Sequence, residues 1–102
     1  MNAVEIRLPD LVAEELMAAN MINPPFHSTH EGYAVLKEEI EEAKQALDEA
    51  EACLEMVWAC IKKDRPRAFE YAEHIEKHAI HLAAEAIQVA AMARKFIDSR
   101  RI

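Results

Sequence analysis

Apolar and small side chains recur through the middle of the chain at Tyr33, Leu36, Ile40, Ala43, Leu47, Ala50, Leu54, Val57 and Ile61, in alternating steps of three and four. Such steps keep returning to one face of a helix, and held over about four heptads they predict a long helix with one continuous seam. A second seam runs through Phe69, Ala72, Ile75, Ala79, Leu82, Ala86, Val89, Ala93 and Phe96. Between them, the lysines of Lys62-Lys63-Asp64-Arg65-Pro66 suit a helix C-terminus, while Asp64 and Pro66 suit the next N-terminus. Upstream, Leu11 to Ala19 is a short amphipathic run that Pro9 and Asp10 can start. It ends before Asn23-Pro24-Pro25, because a residue preceding proline is driven out of the α region. Ser28 and Glu31 then form a capping box for the long helix. The pattern predicts helices over residues 10–20, about 29–63 and 66–98, in one all-α domain spanning 1–102 with no internal repeat.

Each long helix would extend about 50 Å at 1.5 Å per residue, against a radius of gyration of about 13 Å for a compact chain of this length. A lone antiparallel hairpin of that length leaves its apolar seams exposed. Pairing two hairpins into a four-helix bundle covers them, so a homo-oligomer is expected, a dimer being the simplest and a tetramer the alternative.

Composition narrows the chemistry. Gly32 is the only glycine, which excludes the glycine-rich loops that bring backbone up against a phosphate. Its place just inside the capped helix start leaves room for a ligand or a neighbouring helix. Nineteen acidic against 12 basic residues give a net charge of −7, the wrong sign for general nucleic-acid binding. A metal-assisted site for one phosphorylated small molecule stays open. The first ten residues carry no secretory pattern and no apolar run approaches the roughly 20 residues of a membrane span, so a cytoplasmic protein without membrane partners is expected. Cys53 and Cys60 lie seven apart on one predicted helix, about 10 Å between Cα atoms and beyond disulfide reach. They are expected to be reduced and buried.

The candidate chemistry lies in carboxylates. Glu39 and Glu42 are three apart, each one position before a seam residue, within the run Glu38-Glu39-Ile40-Glu41-Glu42. Glu85 and Gln88 repeat that placement on the last helix. Counted from the turn at Asp64 and Arg65, the first pair lies about 23 to 26 residues back and the second about 20 to 23 forward. An antiparallel hairpin brings them level within roughly one turn. Four converging oxygen-bearing side chains suit a hard cation such as Mg²⁺; a structural carboxylate cluster has the same spacing.

These strings resemble the E-E-x-x-E … E-x-x-D signature of the MazG-like, all-α nucleoside triphosphate pyrophosphohydrolases. The flanking His30-Glu31-Gly32-Tyr33-Ala34-Val35-Leu36 and Glu85-Ala86-Ile87-Gln88-Val89-Ala90-Ala91-Met92-Ala93 are similar to small phage- or prophage-type members, over about residues 26–98. The resemblance implies hydrolysis of a nucleoside triphosphate to the monophosphate and pyrophosphate, with Mg²⁺, or Mn²⁺ in its place, as cofactor. It implies Glu39, Glu42, Glu85 and Gln88 as metal ligands, with Glu38 a further ligand or the residue that orients the attacking water. Two departures stand out: Gln88 replaces the family's usual aspartate, and the separation from Glu42 to Glu85 is long.

His74, His78, His81, Glu85 and Gln88 step by four, three, four and three along one side of the last helix. They suit histidines paired with acidic neighbours, or a transition-metal track, although Glu-x-x-His is absent from the chain. Phe26, His27, His30, Tyr33 and Trp58 are the groups available to stack on a base, with Tyr33 and Trp58 expected to pack in the core. Phe26 serves either as a lid or as a hydrophobic staple. Lys95, and after it Arg94, are candidate phosphate contacts or cations at a helix C-terminus. The substrate-binding set is therefore Phe26, His30 and Lys95. Two further functions remain open, a non-catalytic helical interaction module in which Gln88 weakens the metal site, and a His-rich metal-binding bundle.

Overall fold

The computed structural model describes residues 2–100. All its regular structure is helical: α1 (Asn2–Glu5), α2 (Leu8–Ile22), α3 (Thr29–Lys62) and α4 (Ala68–Asp98). The one-turn α1 precedes the start expected for the N-terminal helix, and α2 extends beyond 10–20 at both ends. Among the described residues no helix is long and apolar enough to cross a membrane.

Local chemistry fixes the ends of α3. Ser28 Oγ accepts the Glu31 backbone N–H at 3.1 Å, as the capping box requires. The return arm reaches one residue further back, where Glu31 Oε2 accepts from the His27 N–H at 3.2 Å. At the far end Asp64 adopts a left-handed conformation, φ 55°, and the Arg65 N–H closes onto the Cys60 carbonyl at 2.8 Å. Asp64 therefore ends α3 instead of starting α4, whose N-cap is Arg67.

α3 and α4 form an antiparallel hairpin, with α2 laid along α4. The α3 face turned toward α4 keeps one row of the predicted seam, with Leu36, Ala43, Ala50 and Val57 half-buried, and loses the other. Tyr33, Ile40, Leu47, Leu54 and Ile61 are exposed, Tyr33 at 64%. Residues one position earlier take their place: Gly32, Ala46 and Cys60 are buried and Glu39 and Cys53 half-buried. Trp58 is likewise exposed instead of packed. On α4, Ile75, Leu82, Val89 and Phe96 hold the seam half-buried, while Ala72, Ala79 and Ala86 are open to solvent. Small side chains let two backbones approach closely and strengthen dispersion attraction, so the hairpin closes through α3's glycine, alanines and cysteines. Both cysteines are free.

A cluster of buried residues caps the open end of the hairpin. Phe26 is buried, its N–H donates to Ser99 Oγ at 3.2 Å, and Ser99 Oγ donates to the Lys95 carbonyl at 2.8 Å. Gly32 belongs here for a steric reason. A Cβ on it would fall within 2.5 Å of Phe96 Cε1 and 3.3 Å of Phe26 Cδ2, so the missing side chain admits the neighbouring helix. The molecule is long, 59 × 29 × 21 Å with a radius of gyration of 17.5 Å.

Candidate metal centre

Near mid-hairpin the seam between α3 and α4 is acidic. Glu39, Glu42 and Glu85 each offer a carboxylate oxygen within 4.8 Å of the others. The level placement expected from the turn is realised for three of the four side chains, with Glu39 and Glu42 on adjoining turns of α3 and Glu85 opposite on α4. Glu39 and Glu85 are half-buried and Glu42 is exposed. Glu39 Oε2 and Glu85 Oε2 are shielded from solvent and accept no hydrogen bond.

That geometry raises the energy of the charged forms. Burial holds the Glu39 carboxyl above its ordinary 4.5, and the negative charges of Glu42, Glu85, Glu38 and Glu15 add to this. Glu42 is raised first by a hydrogen bond shared with Glu85, then by burial and by Glu85's charge, while His81 opposes the shift. Glu15 comes from α2, and nothing in the sequence pattern points to it. Helical periodicity carries no information about which residue of a separate helix docks beside the site.

The donor set fits a hard divalent cation. It supplies oxygens only, concentrates negative charge, and leaves two buried oxygens for which protein donors are missing; a cation or a proton is the physical remedy.

The other sequence candidates lie around this cluster. Glu38 is exposed on the same turn. Gln88 is half-buried beneath α2, lining a cavity with Leu11, Glu14, Glu15, Ala84 and Ile87. His81 Nε2 lies 3.6 Å from Glu85 Oε1 and His78 Nδ1 lies 3.1 Å from Glu49 Oε2, so both imidazoles pair with carboxylates. A small cavity lined by Glu42, Gln45, Glu49, His81 and Glu85 opens beside the cluster. Lys95 is only 4% exposed, and its Nζ lies 5.0 Å from the centre of the Phe26 ring. These two meet at the capped end, about 15 Å along α4 from Glu85 by helix rise. His30 is exposed in the first turn of α3.

None of the protein families, curated proteins or solved structures compared with this chain matches it.

Proposed function

We propose that the chain is a Mg²⁺-dependent nucleoside triphosphate pyrophosphohydrolase of the MazG-like kind, working as a dimer of hairpins. The observation that carries this reading is the convergence of Glu39, Glu42 and Glu85 within 4.8 Å, with buried oxygens on Glu39 and Glu85 that lack partners. The three carboxylates hold the ion, with the Gln88 amide oxygen as the fourth protein donor. When bound, Mg²⁺ neutralises phosphate charge and helps generate the nucleophile. Glu38, exposed beside the triad, orients the attacking water by accepting its hydrogen bond. His30, exposed in the first turn of α3, flanks the base; Lys95 and Phe26, buried against each other at the capped end, would reach phosphate and base only if that end opens. Oligomerisation is supported by the apolar residues left exposed on both long helices.

Pyrophosphate release from a panel of ribo- and deoxyribonucleoside triphosphates tests the reading. Turnover should require Mg²⁺ or Mn²⁺ and vanish in Glu39→Gln and Glu85→Gln; pure protein with no turnover at any divalent metal overturns it. A second reading, a non-catalytic helical module, draws on Gln88, a neutral amide under α2. It predicts hydrolysis in Gln88→Asp where the parent chain has none.

A further inference from the structure

The hairpin has two unlike sides. Leu47 and Glu49 are two apart on α3, hence about 200° around the helix, as are Ala79 and His81 on α4. Glu49 and His81 line the cavity at the acidic cluster, so Leu47 and Ala79 occupy the opposite side. That side carries the exposed large residues Tyr33, Ile40, Leu47, Leu54 and Ile61 on α3, seven apart throughout. On α4 it carries Ala72, Ala79, Ala86 and Ala93, also seven apart.

The two stripes share their levels. Glu49 meets His78 and Glu42 meets Glu85, so in an antiparallel pair Leu47 comes level with Ala79, Ile40 with Ala86 and Leu54 with Ala72. The same count brings Trp58 level with Phe69, exposed by 58% and 76%.

Area argues that this side is covered. A compact monomer of 11.6 kDa exposes about 5,800 Å², whereas this chain exposes 7947 Å². Two chains each hiding an excess of about 2,100 Å² would bury roughly 4,000 Å² in all, the range of obligate homodimers.

We infer that a second copy docks on this side about a two-fold axis parallel to the helices, each α3 lying antiparallel against the partner's α4. The axis preserves levels, so Leu47 meets the partner's Ala79 and Trp58 meets the partner's Phe69. Large side chains thereby face small ones at the Tyr33, Ile40, Leu47 and Leu54 layers, where the helix spacing stays even, and two aromatics meet at the Trp58 layer. A two-fold perpendicular to the helices would set Leu47 on the partner's Leu47 and Ala79 on the partner's Ala79, wedging the bundle open along α3. It would also leave Trp58 and Phe69 apart. The cost of the first arrangement is at the rim, where exposed Glu51 comes level with the partner's Glu76. The acidic clusters face outward on both sides of the bundle.

This arrangement rests on the dimeric assembly proposed above and is independent of the hydrolytic chemistry. The full chain with Cys53→Ala and Cys60→Ala receives either Leu47→Cys or Ala79→Cys, and the two proteins are oxidised separately and as a mixture. A disulfide-linked dimer in the mixture but in neither protein alone is expected. Self-linking of Leu47→Cys, or a light-scattering dimer with no mixed product, overturns the arrangement while leaving dimerisation intact; a monomer at tens of micromolar overturns both. Glu76→Lys, an exposed change that needs no refitting of the core, should tighten the dimer roughly tenfold by turning two symmetric repulsions into attractions. An unchanged or weakened dimer counts against it.

Discussion

Carboxylate oxygens of Glu42 and Glu85 lie within 4.8 Å of each other across the hairpin, and a proton shared between the two groups, ahead of burial and charge, raises the Glu42 pKa above its ordinary value. Glu39, raised by burial, stands beside them. Two groups whose folded-state pKa lies above 4.5 make the folded chain bind more protons than the unfolded one between the ordinary and the raised values. Their contribution to stability is fully present below the ordinary carboxylate pKa and is lost as pH rises through the raised ones. Metal-free protein should therefore melt higher at pH 5 than at pH 7, and the difference should shrink in Glu39→Gln. At pH 7, Mg²⁺ at about 100 times its Kd should add roughly 2.7 kcal/mol. Scanning calorimetry of both proteins with and without metal checks this; equal pH dependence in the two would exclude the triad as the cause.

Gly32→Ala sets two effects against each other. In an exposed helix interior the change gains about 1 kcal/mol of helix propensity. Here the new methyl meets Phe96 and Phe26, and overpacking of that kind costs about 1–3 kcal/mol. Net destabilisation in urea is expected, and pairing it with Phe96→Leu should recover part of the loss.

Ser99→Ala removes the acceptor of the buried Phe26 N–H. An amide left without a partner costs about 1–3 kcal/mol. The midpoint of chemical unfolding should fall accordingly, and the Phe26 amide should exchange its hydrogen faster.

Lys95 separates stability from function. Its stem is buried and its ammonium lies over Phe26, so Lys95→Met keeps the packing and should shift stability by less than about 1.5 kcal/mol. If the ammonium also binds the substrate's phosphates, the same substitution should raise KM roughly tenfold or more with less change in kcat. Unaltered KM would confine Lys95 to a packing role.

Much of the site is legible because acidic spacing along two helices, measured from a turn, is one-dimensional information. Glu39, Glu42 and Glu85 meet as the count implies. Phe26 and Lys95 stand out in the sequence as separate candidates, but their stacking against each other depends on how the chain before α3 folds over the end of α4. Glu15 gives no signal, since a short helix after a loop can dock in any rotation.

The sequence by itself determined the all-helical class, the long helices to within about two residues, the Ser28 cap and the level meeting of the acids. Each follows from local backbone chemistry or from the constant rise of a helix. Only the tertiary structure decided which face of α3 turns inward. Its Gly32-Ala46-Cys60 face and its Tyr33-Leu47-Ile61 face lie side by side, and apart from Glu39 both are apolar in a heptad count. Close backbone approach selects the small face for α4. The large face stays on the outside, and Glu39 is carried into the seam beside Glu85.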